Sequence, residues 1–137
     1  MPYTLIDHTA DSGVHVTGKD PRDLFQTAAM ALFDMITEQD RLKGDKAEEL
    51  TISGEDWPDL LVNWLRELLS LWNVNQMLVK EATIHSISEK ILSARILLDT
   101  YDPRCHEIKC EIKAVTYHQI QVGEGDGGWE AKIIFDV

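Results

Sequence analysis

Two helix starts of the same design constrain this chain most. Asp20 is a strong N-cap, Pro21 fits the first helical position, and Asp23 sits at the positive end of the dipole. Leu24, Phe25, Ala28, Ala29, Leu32, Phe33 and Ile36 then recur at helical spacing. Asp56, Pro58 and Asp59 open a second segment in the same way. Leu60, Leu61, Trp64, Leu65, Leu68, Leu69 and Trp72 continue it as a wide apolar stripe about four turns long. A stripe of that width and composition is a core face before it is a cofactor groove.

The rest of the chain follows the period of strands. Residues 3–6 are short and β-prone. Residues 13–18 alternate, with Val14 and Val16 on one side and His15 and Thr17 on the other. Residues 34–47 turn polar and read as a loop, and 49–53 form a strand stopped by Gly54. Beyond the second helix, 77–80 and 83–87 are candidate strands, and 91–98 sets Leu92, Ala94, Ile96 and Leu98 on one face. Residues 108–122 alternate for too long to stay flat, which predicts a bend or bulge. The glycine-rich 123–128 reads as a flexible turn. Residues 129–137 return with Trp129, Ala131, Ile133 and Phe135 on one face, so the last two strands should pair as an antiparallel hairpin. The expected class is α+β: two helices packed on a mostly antiparallel sheet, in a single domain over 1–137. The repeated order of strand, capped helix and strand has the form of an internal duplication.

Charge narrows the function. Lys and Arg total 13 against 24 Asp and Glu, a formal net charge of −11, with no run of basic residues. Such a surface repels phosphate backbones, so direct tight RNA or DNA binding is not expected. It suits a metal ion or a basic patch on another protein. No stretch reaches the ~18–20 apolar residues that cross a bilayer, so no membrane partner is expected. The first five residues lack the basic and apolar regions of a signal peptide, so the expected location is cytoplasmic. Cys105 and Cys110 have no second pair with which to build a zinc site. In a reducing compartment they read as free thiols, with Cys110 facing the core from a strand.

Three polar clusters could carry chemistry: His8-Thr9-Ala10-Asp11, Thr116-Tyr117-His118, and Asp136 with Val137. Each alone has an ordinary structural explanation. Asp11 can form an Asx turn and His8 can bond a backbone carbonyl. Strict alternation puts His118 with Ile112, Ala114 and Ile120, as a half-buried histidine, and puts Asp136 with Glu130 and Lys132 on a solvated face. Together they suggest more. If the strand after Asp11 neighbours the last strand, the two carboxylates meet at one sheet end, and the Val137 carbonyl offers a third oxygen. Hard divalent cations take such ligands. No phosphate-binding glycine loop, nucleophile elbow, HExxH motif or Cys/His pair at catalytic spacing is present. The chain therefore reads as a binding protein or helper rather than an enzyme.

Four segments carry a resemblance to one family. His8-Thr9-Ala10-Asp11-Ser12-Gly13 resembles the HTADxG opening of the archeases, and Ala28-Ala29-Met30-Ala31-Leu32-Phe33-Asp34 their first-helix signature. Residues 59–69 resemble their second helix, DLLxxWLxELL. Lys113-Ala114-Val115-Thr116-Tyr117-His118 followed by residues 128–137 is similar to their KAVTYH…GWxAxxxFD ending. The match runs nearly end to end, and the ending is its most specific part. Ser12 departs from the isoleucine usual at that position.

The resemblance implies an accessory activator of the GTP-dependent RNA ligase of the RtcB type, which acts in tRNA splicing and RNA repair. Archeases promote GMP transfer to that ligase and its multiple turnover, so action on tRNA would be indirect. The resemblance also implies a divalent metal held by Asp11, Asp136 and the Val137 carbonyl. Calcium is the first expectation, with magnesium or manganese as alternatives. Two other readings stay open: a chaperone-like or small-molecule-binding module, and a small metal-dependent hydrolase using Asp11, His118 and Asp136.

Overall fold

Asp20 and Asp56 open the two helices with the same hydrogen bonds. Asp20 Oδ1 accepts the Asp23 N–H at 2.8 Å, and Asp23 Oδ2 accepts the Lys19 N–H at 2.9 Å. Asp56 Oδ1 and Asp59 Oδ2 repeat this with the N–H groups of Asp59 and Glu55, each at 2.9 Å. Each pair is a variant of the capping box, with aspartate in the glutamate position and its return bond made to the N–H of the residue before the N-cap. The repeat extends into the strands before them. A Cβ on Gly18 would lie 2.5 Å from the Leu24 nitrogen, and one on Gly54 would lie 2.7 Å from the Leu60 nitrogen. Both glycines let a strand end press against a helix start. The repeated strand end and capped helix start expected from the sequence are therefore visible in geometry at these two turns.

The computed structural model describes residues 2–7 and 11–137, the side chains of residues 6, 7 and 11 excepted. The elements are β1 (Tyr3–Asp7), β2 (Asp11–Gly18), α1 (Pro21–Ile36), a 3-10 turn (Gln39–Arg41), β3 (Lys46–Ser53), α2 (Trp57–Asn75), β4 (Met77–Ile87), β5 (Ile91–Thr100), β6 (Ala114–Gly125) and β7 (Gly128–Asp136). The class is α+β as expected, but the strands form two sheets rather than one. The first has the order β1-β2-β7-β6 and the second β3-β5-β4. Every strand pair among the described residues is antiparallel.

The helices join the sheets. α1 packs on β2 of the first and β4 of the second, and α2 packs on β6 of the first and on β3 and β4 of the second. α1 accordingly leaves only Arg22 exposed, while α2 keeps Leu60, Leu61, Val62, Trp64, Leu65, Leu68 and Leu69 buried. The Trp64 indole, fully buried, donates to the Phe25 carbonyl at 3.0 Å, so the largest core side chain leaves no polar atom unpaired. Trp57 stacks edge-on against both Phe25 and Trp129 and links the two helix starts to β7.

Several local expectations change. The loop expected over 34–47 is shorter, because α1 runs to Ile36 and β3 begins at Lys46. The two strands expected over 77–87 are one, β4, interrupted by irregularities near Val79 and Ile84. Residues 108–113 are not strand. They carry the chain from β5 in one sheet to β6 in the other, bridging Thr37 and bonding the end of α1 through Lys109 N–H to the Ile36 carbonyl at 2.7 Å. Cys110 lies half-buried in this crossing rather than on a strand, and both cysteines are free. The glycine-rich turn is narrower than expected: Gly125 pairs with Gly128, leaving Asp126-Gly127 as the connection.

Candidate metal-binding end and its surroundings

β2 and β7 are the inner strands of the first sheet, and their register sets Asp11 opposite Asp136. On the other side of β7, Ala114 is the partner of Asp136, and the Asp136 carbonyl accepts the Lys113 N–H at 2.7 Å. The Asp136 side chain is exposed, as its alternation with buried Phe135 requires, and Val137 is 36% exposed beside it. Directly opposed positions of an antiparallel pair share a face, with Cβ atoms ~5 Å apart. Like charges at such positions repel unless a cation or proton comes between them. The sequence expectation that these two carboxylate-bearing positions meet at a sheet end therefore agrees with the backbone register. The His8 cluster, residues 8–10, lies outside the described residues, as does the side chain of Asp11.

The donor chemistry at this end fits a hard cation. Its elements are two carboxylate positions and main-chain carbonyls, all oxygen, with the Val137 carbonyl next in the chain. Among the described residues no three His, Cys, Asp or Glu side chains converge, so any such ion would complete its shell with carbonyls and water.

His118 is exposed, not half-buried. The reason is a wide irregularity in β6. Thr116 pairs with Ile134 and Gln121 with Lys132, so β6 takes five steps where β7 takes two. The alternation that would have turned His118 inward is broken there. Gln119 sits in the left-handed region at φ 54°. His118 lies four residues beyond Ala114, on the order of 10 Å from the Asp136 row. The register thus sets Asp11 and Asp136 in one row and His118 four residues along β6 from that row.

The bulge is tied to the start of α2. The Tyr117 hydroxyl donates to Asp59 Oδ1 at 2.6 Å, and the Arg66 guanidinium sits 4.7 Å from the Tyr117 ring centre. Arg66 Nε also donates to the Val115 carbonyl at 3.1 Å. The Tyr117 hydroxyl, with the Glu55 N–H, holds the Asp59 carboxyl below the usual carboxylate range. The same bond pushes the Tyr117 hydroxyl up. Sequence reading gives Asp59 only a helix-start role and misses its bond to Tyr117, because the partners lie 58 residues apart.

A second polar centre also escapes sequence reading. Asp99 and His106 are buried, at 6% and 8% exposure. Asp99 Oδ2 accepts the Lys43 N–H at 2.8 Å, and Oδ1 accepts those of Gly44 and Asp45 at 2.5 and 3.2 Å. His106 Nε2 lies 3.6 Å from Asp99, while its Nδ1 accepts the Asp102 N–H at 3.0 Å. That bond makes Nε2 the protonated nitrogen of the neutral ring. With the Nδ1 lone pair taken by the Asp102 N–H, that nitrogen is not free to activate the neighbouring Cys105. The centre therefore fastens the 43–45 loop and the 102–106 turn to β5.

Among the described residues no helix is long and apolar enough to cross a membrane. Residues 3–137 match the Archease protein family (MTH1598/TM1083). The chain is 35% identical to the archease of Methanopyrus kandleri over the whole of both chains. It is 34% identical to that of Methanosarcina barkeri, over 98% of this chain and 95% of that one. The solution structure of Methanobacterium thermoautotrophicum protein 1598 superposes with a TM-score of 0.83 at 27% identity, covering 99% of each chain. A crystal structure from Thermotoga maritima, described as an archease and possible chaperone, shares the fold at 20% identity, with a TM-score of 0.66 over 96% of this chain and 94% of that one. With the family matched over almost its full length and the two-helix, two-sheet fold shared with these structures, this chain belongs to the archease family.

Proposed function

We propose that this chain is an accessory activator of a GTP-dependent RNA ligase of the RtcB type, promoting guanylylation of the ligase and its multiple turnover in tRNA splicing and RNA repair. The observation that carries the reading is the register that opposes Asp11 and Asp136 beside Val137 at one end of the first sheet, in a chain of this family. Asp11, Asp136 and the Val137 carbonyl would hold one divalent cation, calcium before magnesium or manganese, because all the donors are oxygen. A cation held there supplies positive charge toward phosphate oxygens. In this reading the residues of this chain position that end rather than attack the phosphate. The effect is therefore exerted in the partner's active site, where phosphoryl transfer depends mainly on placement and electrostatics.

The test is multiple-turnover ligation by the cognate ligase, with and without this chain. Asp11→Asn and Asp136→Asn should each abolish stimulation while circular dichroism stays unchanged, since neither position belongs to an apolar stripe. Full stimulation by both folded variants would refute the role given to this end. Terbium or calcium titration of the wild-type chain and Asp136→Ala tests the ion by itself, and equal affinities would remove the ligand assignment.

A further inference from the structure

We propose that the β6 bulge centred on Tyr117 is a docking surface for a lysine- or arginine-bearing patch of the partner protein. The inference rests on the ligase reading above and adds to it a second point of contact. It begins with an exposed aromatic residue that is nevertheless fixed. Tyr117 is 46% exposed and belongs to no core cluster. Its hydroxyl is held by Asp59, its ring lies against Arg66, and its strand is anchored by the Arg66 bond to Val115.

The residues after it are fixed as well. Thr116 Oγ1 donates to the Ile134 carbonyl at 3.0 Å and accepts the His118 N–H at 3.2 Å. Lys132 Nζ donates to the Gln119 side chain at 3.2 Å. A non-glycine residue in the left-handed region costs free energy, and such positions gather at functional sites. None of these bonds buries Tyr117. What they do is hold a large aromatic ring outward in one conformation, so that little side-chain freedom is left to lose on association. Tyrosine and arginine are also the side chains that most often anchor protein interfaces.

Two observations choose the occupant. β6 is an edge strand whose Ala114 partners Asp136, so Tyr117 lies three residues, roughly 10 Å, from the row proposed to meet the ligase. A protein covering that end covers the bulge too. The chain's −11 formal charge favours a basic patch opposite it, and Asp59, bonded to the Tyr117 hydroxyl, places a carboxylate at the edge of the ring. A cationic side chain can then stack on the exposed side of the ring.

The test measures affinity of the full chain for the cognate ligase by calorimetry, in calcium buffer. Tyr117→Ala should weaken binding at least tenfold. Tyr117→Phe, which keeps the ring and loses the Asp59 bond, should weaken it less than threefold. Exposed His118 provides a second arm that does not depend on Tyr117→Ala folding: His118→Lys should weaken binding at least fivefold and His118→Glu should not. Unchanged affinity in folded Tyr117→Ala, or equal weakening by His118→Lys and His118→Glu, overturns the docking surface and leaves the ligase reading standing. A wild-type chain that does not bind the ligase overturns both.

Discussion

Asp99 has the most demanding environment of any described carboxylate. Burial alone would raise its pKa, but the N–H groups of Lys43, Gly44 and Asp45, with His106 opposite, hold it below the usual range. A depressed folded-state pKa contributes stability that is present above the unfolded value of about 3.9 and lost as pH falls through the folded value. Asp99→Asn keeps the shape and removes the charge, turning an amide N–H toward donors. It should cost about 1–3 kcal/mol at pH 7, and the gap to wild type should narrow as pH falls below about 4. Urea melts at pH 7 and pH 3 measure this; a gap that widens in acid contradicts the account. The sequence gives little sign of Asp99, because its three backbone donors lie 54 to 56 residues away. Tyr3 is similar: its hydroxyl donates to Asp34, 31 residues on, and burial and that bond push it to about 12. Long-range polar partners of this kind leave no periodic trace.

The helices are legible because their signals are local. Caps, proline placement and a 3.6-residue period all lie within one segment, and both starts match those signals. Strand faces are legible for the same reason: Leu92, Ala94, Ile96 and Leu98 are all buried. Strand neighbours are not, since alternation fixes which side faces the core and says nothing of which strand lies alongside. That is why one sheet is expected and two are found, and why the crossing at 108–113 reads as strand. The β6 bulge is legible only as a strand too long to stay flat; its position depends on Asp59 and Arg66 from α2. The twin helix starts give a prediction at this scale. Asp20→Ala and Asp56→Ala should each cost about 1 kcal/mol. Gly54→Ala should cost about 1–3 kcal/mol, because its Cβ would meet helix backbone that cannot rotate away. Chemical denaturation compares the three variants, and a Gly54→Ala protein as stable as wild type would show that the strand and helix start can separate.

At the scale of the whole molecule, charge decides which partners are approachable. The opposition of Asp11 and Asp136 is only conditional in the sequence: both lie at strand ends, but the hairpin signal pairs the last strand with β6, and it is the fold that makes β2 its other neighbour. Under the proposed role, the sign of the charge favours a protein partner over RNA. Thirteen basic residues against 24 acidic ones leave a field that repels a polyanion and attracts a basic cleft. Naked tRNA should therefore not bind below micromolar concentration at physiological salt, and an anisotropy titration showing submicromolar, salt-sensitive binding would contradict this. For the proposed ligase partner the field should act on encounter. Raising ionic strength from about 0.05 to 0.5 M shortens the screening length from about 14 to 4 Å, so the association rate constant should fall at least fivefold. The dissociation rate should change far less, because it is governed by short-range contacts already formed. Stopped-flow association at several salt concentrations separates the two. An association rate indifferent to salt would mean that the acidic surface faces solvent in the complex and that the partner approaches without electrostatic guidance.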